Sequence, residues 1–288
     1  MLHMPKLSAF IICLLCLNII NVYAESLRIS PDELQQQLDN NQIIILDARS
    51  KNDYDVGHIK NAISFPVDIT YAHKKTNGQI QQPIQMQKYI RQAGIDTNSK
   101  IVVYDGTQLV DAARVFWTLE VYGFKNVKVL DHGFNYWLNK NYPISQKTST
   151  IKESKYVATI NHQRLSSKFT TQLAINNANK IVVDARSLPA YKGKTSVAKR
   201  FGHIPSAINV PFKHNIAQDK EFTTLKPIKE LKKLYSNIPL GKKVIIYCKI
   251  GRVSSTNYFA LRELGHDVSN YDASWREWGN DDSLPIEK

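Results

Sequence analysis

The second half of this 288-residue chain repeats the first, block by block. Ile43-Ile44-Ile45-Leu46 runs into Asp47-Ala48-Arg49, and Ile181-Val182-Val183 runs into Asp184-Ala185-Arg186. Gly57-His58-Ile59 is answered by Gly202-His203-Ile204, Ile101–Tyr104 by Val244–Tyr247, and the Asp131–Trp137 stretch by Asp272–Trp278. Asp47 to Asp184 is 137 positions, His58 to His203 is 145 and Tyr104 to Tyr247 is 143. An offset that steady across ordered blocks means a duplicated domain. The near-continuous β-branched runs read as strands buried on both faces, and helical stretches separate them. The expected fold class is therefore α/β: two tandem domains, each a doubly wound, mainly parallel sheet with helices on both faces. The expected boundaries are 25–145 for the first domain, 146–160 for a polar linker and 161–288 for the second. Ser30-Pro31-Asp32-Glu33 reads as a helix start, and a helix over Asp111–Tyr122 should stop at Gly123.

Residues 1–24 stand apart. Lys6 precedes an apolar run from Ala9 to Ile20, and Val22-Tyr23-Ala24 ends it in an A-x-A-like pattern. The run is short for a bilayer span, so it is expected to be a cleaved signal peptide, giving an exported, periplasmic protein with no stable membrane anchor. Cleavage removes Cys13 and Cys16 and leaves Cys248 as the one cysteine, which no disulfide can use. No zinc or iron–sulfur spacing is present, so no metal or cofactor is expected. The formal charge of +13 is basic, but the Lys and Arg residues are scattered and carry no nucleic-acid motif. They read as a solvated basic surface, with a field that draws small anions toward a cleft as the functional alternative.

Cys248 stands where the strand Val244–Tyr247 should end, and Gly251 lies in the loop before a helix that runs to Leu264. Ser254 and Ser255 are candidate N-caps for that helix. A residue between a strand's carboxyl end and a helix's amino end occupies the ligand position of an open α/β sheet. Loop amides and the helix dipole favour an anion there, which makes a thiolate the working form. In the first copy Asp105 takes this place, and a carboxylate cannot act as a sulfur nucleophile. The first domain is therefore expected to wall one side of a cleft.

These blocks resemble the rhodanese family, specifically the two-domain thiosulfate and 3-mercaptopyruvate sulfurtransferases. The resemblance rests on Asp-Ala-Arg at 47–49 and 184–186, on Gly-His-Ile at 57–59 and 202–204, on the loop at 248–253, and on Tyr271-Asp-Ala-Ser-Trp-Arg-Glu-Trp278. It covers nearly all of residues 25–288. It implies an inactive amino-terminal domain and an active carboxy-terminal one. In the implied mechanism Cys248 takes a sulfane sulfur from a small anionic donor as a persulfide and passes it to a thiol, to cyanide or to a protein acceptor. The protein is expected to act as a monomer. The loop residues Lys249, Ile250, Gly251, Arg252, Val253 and Ser254 would bind substrate, with Lys249 and Arg252 adding charge.

The sequence also departs from that family. Thiosulfate-type loops read Cys-Arg-Lys-Gly and mercaptopyruvate-type loops Cys-Gly-Ser-Gly, whereas this one reads Cys248-Lys249-Ile250-Gly251. Both types carry an arginine where Ala190 stands here, and Lys199 or Arg200 is expected to replace its charge. Asp184 and Arg186 read as structural, because the copy without a cysteine keeps Asp47 and Arg49; the same holds for His58 and His203. A cysteine phosphatase would need arginine six residues after the cysteine, where Ser254 stands. A persulfide carrier or redox sensor without turnover is the alternative from another class.

Overall fold

The computed structural model of the protein describes residues 25–39, 42–73, 78–219 and 222–288; the expected signal segment lies outside them. Five strands form the first sheet: β1 (Arg28–Ile29), β2 (Ile43–Asp47), β3 (Ile63–Ser64), β4 (Lys100–Tyr104) and β5 (Val127–Leu130). Their order is β1-β5-β4-β2-β3, and every pairing is parallel. The second sheet repeats it with β6 (Leu165–Ser166), β7 (Lys180–Asp184), β8 (Ile208–Asn209), β9 (Lys243–Tyr247) and β10 (Val268–Tyr271), in the order β6-β10-β9-β7-β8 and again parallel. The central strands are buried on both faces, which is why they read as unbroken Ile and Val runs.

The two domains meet through equivalent helices. Helix α1 (Val110–Val121) follows β4 and helix α2 (Ser254–Glu263) follows β9. Phe116 packs edge-on against Phe259 at 5.0 Å, and residues of both domains belong to one continuous apolar core. Within this seam Glu120 accepts two bonds from the Arg262 guanidinium, the shorter at 2.8 Å, and a 2.5 Å bond from the Tyr258 hydroxyl. A carboxylate buried in an apolar seam requires such partners.

Each domain also reaches across the seam with the chain that follows its short third strand. In the first domain this is the segment ending at Ile80, whose amide donates to Asp272 Oδ2 at 2.5 Å. In the second it is a hairpin, Ile216–Asp219 against Phe222–Leu225, from which the Thr224 hydroxyl donates to Asp131 Oδ1 at 2.7 Å. Asp131 and Asp272 are equivalent residues directly beyond β5 and β10, so the bracing is reciprocal.

The stretch expected to be a linker has no regular structure from 148 to 161, but it is tied to the first domain. Ser154 Oγ donates to Ile95 O at 2.7 Å and the Tyr156 hydroxyl to Tyr122 O at 2.7 Å. Among the described residues no helix is long and apolar enough to cross a membrane. Removing the Glu120 carboxylate should leave Arg262 and Tyr258 without their partner. Glu120→Ala is expected to lower the free energy of unfolding in urea by about 2–4 kcal/mol, and pairing it with Arg262→Met should recover most of that loss.

Candidate active site

The strand register brings the repeated motifs together. Asp47 pairs with Tyr104 and Asp184 with Tyr247, so each Asp-Ala-Arg block emerges beside the residue that follows the aromatic: Asp105 in one copy, Cys248 in the other. In the second domain Arg186 grips Asp184 through Nε and Nη2, the latter at 2.6 Å, and Nη2 also donates to Gly202 O at 2.7 Å. The Tyr247 hydroxyl donates to Asp184 Oδ2 at 2.7 Å and accepts from the Ile204 amide. His203 stacks on Tyr191 at 3.8 Å with Nδ1 on its carbonyl. The first domain has the same set: Arg49 on Asp47 and Gly57 O, Tyr104 on Asp47, and His58 stacked on Tyr54. A network shared with the copy that lacks a cysteine shapes the strand ends and does not touch the reacting atom.

Cys248 is a free thiol, 1% exposed. Its amide donates to Ser274 Oγ at 3.1 Å and its carbonyl accepts from the Trp275 amide at 3.1 Å, which fixes the residue against the start of the last helix. Gly251 takes φ +73°, and a Cβ there would lie 2.4 Å from Asp272 O, so the turn excludes any side chain. Among the described residues, the amides of 249–253 have no protein acceptor. The expected capping by Ser254 and Ser255 is not observed. Val253 occupies the cap position with no side-chain bond, while Ser254 Oγ bonds Asn270 Oδ1 and Ser255 Oγ donates to Gly251 O. Buried acceptors draw the hydroxyls away, which leaves the loop's amide donors uncapped.

The first copy shows what such a loop does with an anion. Asp105 accepts from the amides of Leu109, Asp111 and Ala112 at 3.1–3.2 Å. Burial, and then the nearby Asp111 charge, push its carboxyl up to about 6 against those three bonds.

The sulfur's loop is held from the other domain. Arg114, wholly buried on α1, donates through Nη1 to Gly251 O at 3.0 Å and through Nη2 to Gly78 O at 2.9 Å. Its guanidinium lies 4.5 Å from the Tyr71 ring centre and 4.3 Å from that of Trp117. Asp272 sits beneath the same loop; burial raises its carboxyl to about 6, opposed by Arg114 and by the Ile80 and Ala273 amides.

A family model described as "Rhodanese-like domain" matches residues 30–140 and again 169–281. The chain belongs to the rhodanese-like domain family. A Mycobacterium leprae protein named "Putative thiosulfate sulfurtransferase" is 31% identical over 90% of this chain and 96% of its own length. A Thermus thermophilus protein named "Sulfur carrier protein TtuD" is 28% identical over the same shares of each. The crystal structure of SseA from Escherichia coli, described as a 3-mercaptopyruvate sulfotransferase, superposes with a TM-score of 0.76 at 24% identity, covering 87% of this chain and 99% of that one.

The two rhodanese-like domains place the expected substrate residues unevenly. Lys249 lines a hollow of about 40 Å³ with Arg186, Ala190, Thr195, Ser196 and Val197. The Nη1 of Arg186, one of the lining residues, is buried and has no hydrogen-bond partner among the described residues. The expectation that Lys199 or Arg200 takes over at the missing arginine is not met. Lys199 is exposed and does not line the hollow, and Arg200 donates to the carbonyls of Trp278, Asp281 and Leu284. Arg186 stands there instead, beside Ala190. Arg252 is also drawn off: it pairs with Asp111 of the first domain at 2.6 Å and, with Ile250, lines a larger cavity of about 710 Å³ over the first sheet. Val253 and Ser254 serve the helix start.

Sequence reasoning missed Arg114, Ser274 and Asp272. The signal for Arg114 was present: a lone guanidinium within the otherwise apolar stretch from Ala112 to Leu119.

The Asp105 carboxyl gives a test of this geometry by pH. Its folded value of about 6 lies above the ordinary 3.8, so the stability it contributes is full below 3.8 and is lost as pH rises through 6. Over that window the loss is about 3 kcal/mol. Unfolding free energies measured from pH 4 to 7 should fall less steeply for Asp105→Asn than for the natural chain; equal slopes would contradict the assignment.

Proposed function

We propose that the protein is a sulfurtransferase in which Cys248 carries the sulfur. The observation that carries this reading is the cysteine itself: a buried thiol at a strand end, before an uncapped helix, in a loop whose amides at 249–253 have no protein acceptor among the described residues. The Cys248 thiolate attacks the outer sulfur of an anionic donor. With thiosulfate the S–S bond breaks, sulfite leaves with the bonding pair, and Cys248 becomes a persulfide. With 3-mercaptopyruvate the C–S bond breaks and pyruvate leaves as its enolate, which then takes a proton. A thiol or cyanide next attacks the terminal sulfur and returns the thiolate, so electrons balance without an external oxidant.

The loop amides hold the anionic sulfur in both states, as the Leu109, Asp111 and Ala112 amides hold the Asp105 carboxylate. The donor's sulfonate or carboxylate is assigned to the hollow that Arg186 and Lys249 line. In the same reading residues 1–24 direct export, and the mature chain works as a periplasmic monomer. A second reading is favoured by the relative named as a sulfur carrier and by the 1% exposure of Cys248: the persulfide is held for a protein acceptor.

The test is a sulfur-transfer assay on residues 25–288, with each donor in turn, cyanide as acceptor, and intact mass to follow the added sulfur. The natural chain should gain one sulfur and turn over, and Cys248→Ser should lose at least about a thousandfold. A persulfide that forms and is not discharged by small acceptors would favour the carrier. An active Cys248→Ser variant would sink both readings.

A further inference from the structure

Arg114 is a buried cation without a carboxylate partner. Its three bonded nitrogens end on neutral oxygens: Thr70 Oγ1 at 3.3 Å, Gly78 O at 2.9 Å and Gly251 O at 3.0 Å. Among the described residues it takes part in no ion pair. Burying a guanidinium this way costs several kcal/mol, and the faces of Tyr71 and Trp117 return only part of it. A long apolar side chain would pack between those two rings at lower cost. The charge therefore needs a use, and the groups near it that can carry a negative charge are few: the Tyr71 phenol, the Asp272 carboxyl and the Cys248 thiol.

The other domain shows what happens without it. The stretch of α2 from Ser254 to Leu261 contains no charged residue, so α2 offers the Asp105 loop no counterpart of Arg114. The basic group that the second domain does send there, Arg252, is paired with Asp111. The duplication is thus asymmetric at one point. The loop with the sulfur receives a buried guanidinium from its neighbour, and the loop with the carboxylate does not.

We propose that Arg114 is a positioning residue for the sulfur chemistry, one that the domain without a cysteine supplies. With Asn270 Nδ2 and Ser255 Oγ it holds the Gly251 carbonyl, and with it the turn of the cysteine loop, and it is the donor of the three that brings a positive charge to that loop. This rests on the sulfurtransferase reading, but its test does not require turnover. The charged and titratable groups on and around the cysteine loop are Arg114 and Tyr71 from the first domain, Asp272 beyond the end of β10, Lys249 in the loop with Arg186 in the hollow it lines, and the Arg252–Asp111 pair.

Cys248 is the only cysteine of residues 25–288, so the ultraviolet absorbance of a thiolate, taken against a Cys248→Ser blank, reports this sulfur alone. Across a pH titration, Arg114→Gln should lower the ratio of thiolate to thiol at a given pH by about tenfold, and Arg114→Lys by no more than about threefold. An unchanged ratio in Arg114→Gln would overturn the proposal, as would equal losses in the two variants, which is what a purely structural role produces. Should Arg114→Gln fail to fold, Asp272→Asn keeps the question open to measurement. Removing the carboxyl that competes for Arg114 should raise the thiolate ratio, and no change would count against the proposal. Failure to form a persulfide would sink the sulfur-transfer reading and leave these resting-state results standing.

Discussion

The bond from Arg114 Nη1 to the Gly251 carbonyl joins the two halves of the molecule at the place where geometry matters most. Gly251 takes a left-handed conformation with its α-carbon pressed against the Asp272 main chain, and that turn decides where the loop's amides lie. From within the second domain the Gly251 carbonyl accepts from Asn270 Nδ2 on β10 and from Ser255 Oγ, both at 3.2 Å. Further fixing comes from α1, from Gly78 lying against the Ile250 carbonyl, and from the Ile80 amide on Asp272. An α/β domain of this size could fold alone, but its cysteine loop would then lack these three contacts. The first copy, with Asp105 in place of a cysteine, supplies all three.

Duplication explains how such bracing arises. Two equivalent copies that meet through equivalent helices offer each other the same face, so a contact can occur twice. The Thr224–Asp131 and Ile80–Asp272 bonds are one such pair, and the strand-end networks around Asp47 and Asp184 are another. The symmetry is broken at two positions. Cys248 stands where the first copy has Asp105, and the guanidinium of Arg114 has no counterpart before Arg262 in α2.

The fold was legible in the sequence because duplication supplied an internal control. The Ile and Val runs mark buried strands, and the repeated Asp-Ala-Arg and Gly-His-Ile blocks fix their ends. The cysteine loop was legible for the same reason. Its surroundings were not. Arg200 and Lys199 are basic and close in sequence to the missing arginine, but the C-terminal segment offers Arg200 three carbonyls at close range, and a guanidinium takes the acceptors that surround it. Arg252 lies four residues from the cysteine and meets Asp111, 141 positions away in the chain, a pairing no local pattern encodes. Ser254 and Ser255 carry the residue type of a cap, and buried acceptors outcompete the helix end for their hydroxyls.

Asp105 indicates how far amides alone go at such a site. Three main-chain donors converge on that carboxylate, yet burial and the Asp111 charge still hold its proton until about pH 6, two units above the ordinary value. A free thiol binds its proton far more tightly than a carboxylic acid does, by more than about four units. The same cradle therefore has more to offset for a thiolate than for a carboxylate. An additional positive charge in the low-dielectric interior, where Coulombic interactions are strong, shifts that balance. The molecule places one at the cysteine loop and supplies it from the neighbouring domain. The copy without a cysteine thus carries the buried guanidinium that braces the cysteine loop of the other.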